Sequence, residues 1–429
     1  MKVGIITFHF VSNQGGVLQA YALQTYLEKN GYDTSIINYR PGYHTIRYKA
    51  NKNPFAYSKW YWKKFADRHT LKRIQLTLRS FVRCLYMNYK HTDREVERLF
   101  ADFTNKNLHE TEIYTSLKGL KKNPPKLDAY VSGSDQLWGP DLLNLEFDPA
   151  YFLNFGEALP KITYAVSTGR DLTSEELSKL RGLSEDLTAV SLREYNESTI
   201  KAVGKDVHIC IDPTLLLDAS DYANVENKLL ESDSYIFVYG FETNEDIKQA
   251  IGIASKKYGC KIINGSPNRI KLDGDIVELR DYGPDRFLSL IKNAQCVVTN
   301  SFHGTAFSII YKKEFITVAH STRGRRMVEL LNKVELNYRL WGDSQFSIEK
   351  CIDWEAAYEK LSILRKGSSE YLLSAIEGKR GEEIPHWSQE RAEISETVAS
   401  AQKVEALYGY YREKSDVEKS ASGGMRNPR

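Results

Sequence analysis

The sharpest chemistry in this sequence lies in Thr299-Asn300-Ser301-Phe302-His303-Gly304-Thr305, between a strand-like run, Cys296 to Thr299, and a helical pattern from Ala306 to Tyr311. That context puts His303 in a strand-to-helix turn, where an imidazole can carry a proton near neutral pH. Gly304 there would let backbone approach a ligand, and free N–H groups of Gly304, Thr305 and Ala306 would favour an anion. The same place equally suits a histidine that caps the helix or bonds a neighbouring loop. Arg193 follows the run Ala189 to Leu192 and can fork onto a carboxylate or phosphate, or pair with Glu194 or Glu197. In Ser132-Gly133-Ser134-Asp135-Gln136-Leu137-Trp138 small residues open a turn and bring together a carboxylate, an amide and an indole. Such a set suits a pyranose; the alternative is Asp135 as a helix cap with Trp138 in the core. Arg323, Arg325 and Arg326 precede Met327-Val328-Glu329-Leu330-Leu331. Cations are unfavourable at a helix N-terminus, so these face an anion or form a solvated basic surface. Asn13 with Gly15-Gly16 precedes another helical pattern, but neither GxGxxG nor GxxxxGK[ST] occurs, which removes the main support for dinucleotide oxidoreduction and P-loop hydrolysis.

The elements that must position these residues alternate. Strand-length apolar runs followed by helical spacing signal βα units and a parallel sheet, whose ligands sit at the carboxyl ends of strands. A first series comprises Val3 to Phe8, Thr34 to Tyr39, Ala129 to Ser132, Lys161 to Ser167, Ala189 to Leu192 and Val207 to Ile211. A second comprises Tyr235 to Tyr239, Lys261 to Asn264, Ile276 to Leu279, Cys296 to Thr299 and Phe315 to Val318. The expected organisation is a first Rossmann-like domain over 1–218, a second over 219–341, and a helical, partly flexible tail over 342–429. A basic, aromatic helical insertion over about 44–110 interrupts the first domain: Lys59, Lys63, Lys64, Lys72, Arg73, Arg79 and Arg83 meet almost no acids and alternate with Tyr57, Trp60, Tyr61 and Trp62. It is either an exposed solvated face or a surface for an anionic membrane or polyprenyl-diphosphate head group.

Composition excludes several classes. Over 429 residues, 59 Lys+Arg against 56 Asp+Glu leave a formal charge of +3, so the chain is not a nucleic-acid coat. No stretch approaches the roughly 20 apolar residues of a membrane span, and the Met1 segment carries no secretory pattern, so the cytoplasm is expected. The five cysteines, Cys84, Cys210, Cys260, Cys296 and Cys351, are widely spaced, which fits reduced thiols and neither a disulfide framework nor a metal site.

Six motifs now read together: Gly15-Gly16-Val17-Leu18-Gln19-Ala20-Tyr21-Ala22-Leu23, Ser132 to Trp138, Ile162-Thr163-Tyr164-Ala165, Ser191-Leu192-Arg193-Glu194, Asp212-Pro213-Thr214-Leu215-Leu216 and Thr299 to Gly304. Their order resembles that of the polysaccharide pyruvyltransferases across roughly residues 1–341. The resemblance implies an α/β fold of two Rossmann-like domains in a GT-B-like arrangement. It also implies transfer of pyruvate from phosphoenolpyruvate to a sugar of a surface-polysaccharide precursor, giving a pyruvate ketal without a cofactor or metal. On that basis His303 is the proton-transferring residue and Asp135 orients or deprotonates an acceptor hydroxyl. The donor is then held by Arg193, Ser301, Gly304, Thr305, Arg326, Arg170 and Arg323, and the acceptor by Asn13, Gly15, Gly16, Gln136 and Trp138. Ser301 stands where better-studied members have an arginine, so Arg170 or the Arg323 to Arg326 cluster must supply that contact. Thr168-Gly169-Arg170 also departs from the family's usual Ser-Phe-Gly.

The expected partners are phosphoenolpyruvate and a sugar acceptor, polyprenyl-diphosphate-linked or nucleotide-linked, with peripheral contact at the cytoplasmic membrane face and no nucleic acid. Two competing expectations are a nucleotide-sugar glycosyltransferase of the same fold, using Glu278 and Asp281 for base and ribose, and a non-catalytic glycan-binding or nucleotide-binding regulator. Finally, Ala406-Leu407-Tyr408-Gly409-Tyr410-Tyr411 and Ser420 to Met425 resemble the opening of the beta subunits of deazaflavin-dependent hydrogenases and dehydrogenases, too short a stretch to carry an activity.

Overall fold

The computed structural model describes residues 1–44, 52–66, 68–90, 94–143, 145–156, 160–227, 233–267, 270, 272 and 276–384. The chain is an α/β protein that divides into two compact units. Unit 1 holds Met1–Leu217 together with Asp281–Asp285 and Ser369–Ile384; unit 2 holds Asp218–Arg280 and Arg286–Ser368.

In unit 1, β1 (Lys2–Ile6), β2 (Asp33–Ile36), β3 (Ala129–Ser132) and β4 (Lys161–Thr163) form a parallel sheet in the order β2-β1-β3-β4. A second parallel pair, β5 (Val190–Leu192) and β6 (Val207–Ile209), joins it through the bridges Ile162↔Ala189 and Val166↔Leu192. The strands are buried nearly throughout, as parallel sheets covered on both faces require. After β1 the chain enters the helix Gln14–Lys29, capped by Asn13, whose side chain accepts from the Gly16 amide at 3.0 Å. Most of that helix is buried, and Gln19 donates to Thr7 Oγ1 at 2.7 Å, tying the helix to the end of β1. The long run expected after Lys161 stops at Thr163 because Ala165 takes a positive φ of 48°. Helices Pro54–Lys64, Thr70–Lys90 and Arg94–Asn107 occupy the insertion between β2 and β3.

Unit 2 contains β7 (Tyr235–Tyr239), β8 (Lys261–Asn264), β9 (Ile276–Glu278), β10 (Cys296–Thr299) and β11 (Glu314–Thr317), all parallel, in the order β9-β8-β7-β10-β11. Numbered within the unit this is the order 3-2-1-4-5, that of a doubly wound nucleotide-binding sheet, and it reverses direction between β7 and β10. In unit 1 the corresponding reversal lies between β1 and β3. Loops at the carboxyl ends of those four strands are therefore where each unit forms its crevice.

The region beyond residue 341 is not an appendage as far as Ile384. Its helix Trp354–Ile376 passes from unit 2 to unit 1 at Ser369. Tyr371, Leu372, Ala375 and Ile376 are buried, and the Tyr371 hydroxyl donates to Thr163 O at 2.9 Å. The hydrogenase-like stretches, 406–411 and 420–425, lie outside the described residues.

Candidate functional site

In unit 2 the crevice is built around the end of β10. Thr299 donates its hydroxyl to Tyr239 O at 2.6 Å and accepts from the Ser301 amide at 3.0 Å. Asn300 accepts from the Phe241 amide at 2.6 Å and donates to Glu242 O at 2.9 Å, so the loops after β7 and β10 are stapled together at the switch point. Gly240 makes room for that staple: a Cβ there would stand 2.8 Å from Asn300 Oδ1. Ser301 caps the helix Phe302–Ile310, its side chain accepting from the Gly304 amide at 3.4 Å. His303 is the second residue of this helix and is 8% exposed. The Phe302 ring lies perpendicular to it at 5.3 Å, and the Arg326 guanidinium sits over Phe302 at 5.6 Å. Arg326 is thereby brought to the first residue of the helix, while among the described residues no hydrogen bond or ion pair engages the Arg323 side chain.

Three expectations for this segment change. Gly304 does not open space for a ligand: a Cβ would meet Thr299 Oγ1 at 2.2 Å, so the glycine lets the helix close against β10. The Gly304 and Thr305 amides are already taken by Ser301 Oγ and, at 3.0 Å, by Ser301 O. Thr305 itself is buried, its hydroxyl bonded to Ser301 O and to Thr317 Oγ1 at 2.9 Å, and it holds the helix on β11 instead of binding a donor. Ser301 likewise acts as a cap.

Residues the sequence reading passed over complete this edge. Glu242, after β7, accepts from the Ser321 amide at 2.8 Å and from its hydroxyl, and lies 3.5 Å from His320 Nδ1, after β11. Polar residues at strand ends were the signal that singled out His303; the same signal marks Glu242 and His320.

In unit 1 three motifs converge. Arg193 from Ser-Leu-Arg-Glu pairs with Asp212 from Asp-Pro-Thr-Leu-Leu at 2.8 Å, both side chains buried, and also donates to Ser134 of Ser-Gly-Ser-Asp. Asp212 in turn accepts from the Thr214 amide at 2.9 Å and hydroxyl at 2.7 Å, capping the short 3₁₀ helix Pro213–Leu216. Arg193 thus pairs with Asp212 instead of Glu194 or Glu197. Glu194 is occupied separately, accepting from Ser167 at 2.6 Å.

The cluster fixes the loop that follows β3. Asp135 has φ 81°, a left-handed conformation rare outside glycine but tolerated by aspartate. Its carbonyl accepts from Leu137 N at 2.8 Å and Ser167 N at 2.9 Å. Its half-buried carboxylate makes no hydrogen bond among the described residues and lies next to Gly16, where an added Cβ would be 3.7 Å from Oδ2. Backbone strain of this sort at a strand end is a feature of functional sites.

Other expectations for unit 1 are corrected. Trp138 is fully buried and stacks on Phe152 at 4.8 Å, so its face is unavailable to a sugar. Gln136 is buried against Gly169, whose Cβ would meet Gln136 Oε1 at 2.5 Å. The Asn13 side chain is committed to its helix cap. Arg170 is held by two carboxylates, Asp141 at 2.9 Å and Glu176 at 2.8 Å, and cannot substitute for the missing family arginine. That bond draws the Glu176 carboxyl down to about 2. His9, fully buried after β1, bonds Glu110 at 2.8 Å, and Arg40 pairs with the same carboxylate at 2.9 Å. Burial pushes the Glu110 carboxyl up, but His9 and Arg40 outweigh it and the net shift is downward. Glu278 is exposed and engaged by Asn264 and Arg280, and Asp281 belongs to unit 1, so the pair suggested for a nucleotide falls in different units.

The family model for polysaccharide pyruvyl transferase matches residues 13–322. No curated protein matches the sequence. Among solved structures the chain is similar to UDP-GlcNAc 2-epimerase from Neisseria meningitidis bound to UDP-GlcNAc, at 12% identity, 93% of this chain and 100% of that one covered, and TM-score 0.37. It is similar to UDP-GlcNAc 2-epimerase from Methanocaldococcus jannaschii at 14% identity, 85% and 93% coverage and TM-score 0.39. A heptosyltransferase from E. coli with ADP-2-deoxy-2-fluoro heptose gives 13% identity, 74% and 88% coverage and TM-score 0.33.

Proposed function

The chain belongs to the polysaccharide pyruvyl transferase family, and from that premise we propose that it transfers pyruvate from phosphoenolpyruvate to two hydroxyls of a sugar in a polysaccharide precursor, closing a pyruvate ketal. The supporting observation is that the matched region places a candidate proton-transfer group at the carboxyl edge of each sheet: His303 after β10 and, after β3, Asp135, whose carboxylate makes no hydrogen bond among the described residues.

Protonation of the donor's methylene carbon develops positive charge at C2. One sugar hydroxyl adds there, the C–O bond to phosphate breaks, and the second hydroxyl closes the ketal. Two hydroxyl protons leave the sugar; one ends on the new methyl group and one on phosphate. His303 moves the proton, and Asp135 orients or deprotonates an acceptor hydroxyl. The donor's carboxylate and phosphate need cations. Arg323 and Arg326 take that role in this chain together with Arg193, since Arg170 is held by Asp141 and Glu176.

The test is incubation with phosphoenolpyruvate and lipid-linked or nucleotide-linked galactosides, reading phosphate release together with a sugar mass gain of one pyruvate less one water. His303→Ala should lower kcat by about 10²–10⁴-fold. Sugar transfer from a nucleotide donor without phosphate release, or near-wild-type turnover by His303→Ala, overturns the proposal.

A further inference from the structure

The helix Thr70–Lys90 is inside out for an element facing water. Its inward side is small and polar: Ser80 and Cys84 are buried, and Asn88 exchanges hydrogen bonds with the Lys52 backbone at 2.7 and 2.9 Å. Its outward side is apolar. Leu71 is 74% exposed, Leu78 61%, Val82 64% and Tyr89 79%, with Ile74 and Leu85 exposed between them. At about 100° per residue these six side chains fall within about 60° of one direction, a stripe some 27 Å long from Leu71 to Tyr89. Lys72, Arg79 and Arg83 follow about 80–120° around the axis, all along one flank of that stripe. The antiparallel-sequence neighbour, helix Pro54–Lys64, adds Phe55, highly exposed and edge-on to Phe81 at 5.3 Å, and Trp62 beneath the Arg73 guanidinium at 4.0 Å.

A single exposed leucine is ordinary, but a continuous apolar stripe with a basic flank has the anatomy of a helix lying in a membrane interface. Charge selects among occupants. Residues 52–90 contain ten Lys or Arg and one acid, Asp67, so a second copy of this face would be repelled while an anionic surface would be attracted. We propose that the Thr70–Lys90 face binds the surface of an anionic lipid bilayer, with the stripe at the acyl boundary and the cations among the head groups. This inference stands apart from the assigned reaction.

Flotation of the full chain with phosphatidylcholine vesicles, with and without phosphatidylglycerol, tests it. The chain should bind the anionic vesicles, less so as salt is raised. Lys72→Gln/Arg79→Gln/Arg83→Gln should weaken that binding about a hundredfold, at about a kilocalorie per cation. Leu78→Glu/Val82→Glu should abolish it, and because both residues are exposed the thermal midpoint should stay at the wild-type value. Failure of the wild type to float with anionic vesicles overturns the proposal, as does binding that both variants retain. A doubling of mass in solution that Leu78→Glu/Val82→Glu removes would assign the face to a second copy and overturn it too.

Discussion

Asp212→Asn probes the buried cluster that ties three motifs together. The substitution keeps the side-chain shape, and the amide oxygen can still accept from Thr214, so the 3₁₀ cap survives while the negative charge is lost. What remains is the Arg193 guanidinium, buried against a neutral partner. Removing one member of a buried pair costs about 3–5 kcal/mol, because the uncompensated charge stays out of water. For a unit of about 150–250 residues each kilocalorie moves the midpoint by roughly 2–4 °C, so unit 1 should melt about 6–20 °C earlier. Scanning calorimetry of wild type and variant reads this directly. Arg193→Met/Asp212→Asn, which removes the stranded charge as well, should recover much of the loss, and the difference between cycles gives the coupling. A midpoint within about 2 °C of wild type would refute the reasoning. So would an Arg193→Met variant of unchanged midpoint but raised KM for phosphoenolpyruvate, which would make the arginine a substrate ligand only.

Asp135→Asn should leave the midpoint unchanged, since asparagine also tolerates the left-handed backbone, but it should lower kcat; full turnover would remove Asp135 from the reaction. The Glu176 carboxyl is held below its ordinary value by Arg170, so its contribution to stability is present above pH about 4.5 and disappears as pH falls toward about 2. Glu176→Gln should therefore flatten the acid limb of the stability profile between those values while leaving its shape near neutrality, as urea titrations at stepped pH would show.

The strand framework was legible because parallel strands buried on both faces are written as continuous apolar runs: Ala129–Ser132, Tyr235–Tyr239, Lys261–Asn264 and Cys296–Thr299 were read with the bounds they have. The edges of the others drifted where backbone left the ladder, as at Ala165. Site chemistry was legible only to the level of strand ends. Nothing in the spacing of Arg193 and Asp212 tells that they meet, because the pairing depends on β5 and β6 lying side by side and on Ser134 arriving from β3. Trp138 and Gly304 misled for one reason: a side chain or a missing side chain near a polar turn can serve packing as readily as binding, and only the Phe152 stack and the Thr299 side chain standing where a Gly304 Cβ would go decide which. The insertion's cations were visible in the sequence, whereas the outward turn of its apolar stripe required knowing which side of Thr70–Lys90 the neighbouring helix covers.

The passage of helix Trp354–Ile376 from one unit to the other has a consequence for synthesis. Met1–Leu217 of unit 1 is made before any of unit 2, yet Tyr371 and its buried neighbours belong to unit 1's core. At roughly 5–20 residues per second, the 167 residues from 218 to 384 take on the order of 10–30 s to follow Leu217 from the ribosome. Throughout that interval Thr163 O and the ring face of His208 lack Tyr371, so the first-made unit is the last to be completed. Vectorial folding from the N-terminus stalls one helix short, and a chain released before Ile384 carries an unfinished sheet regardless of how well its second unit has folded.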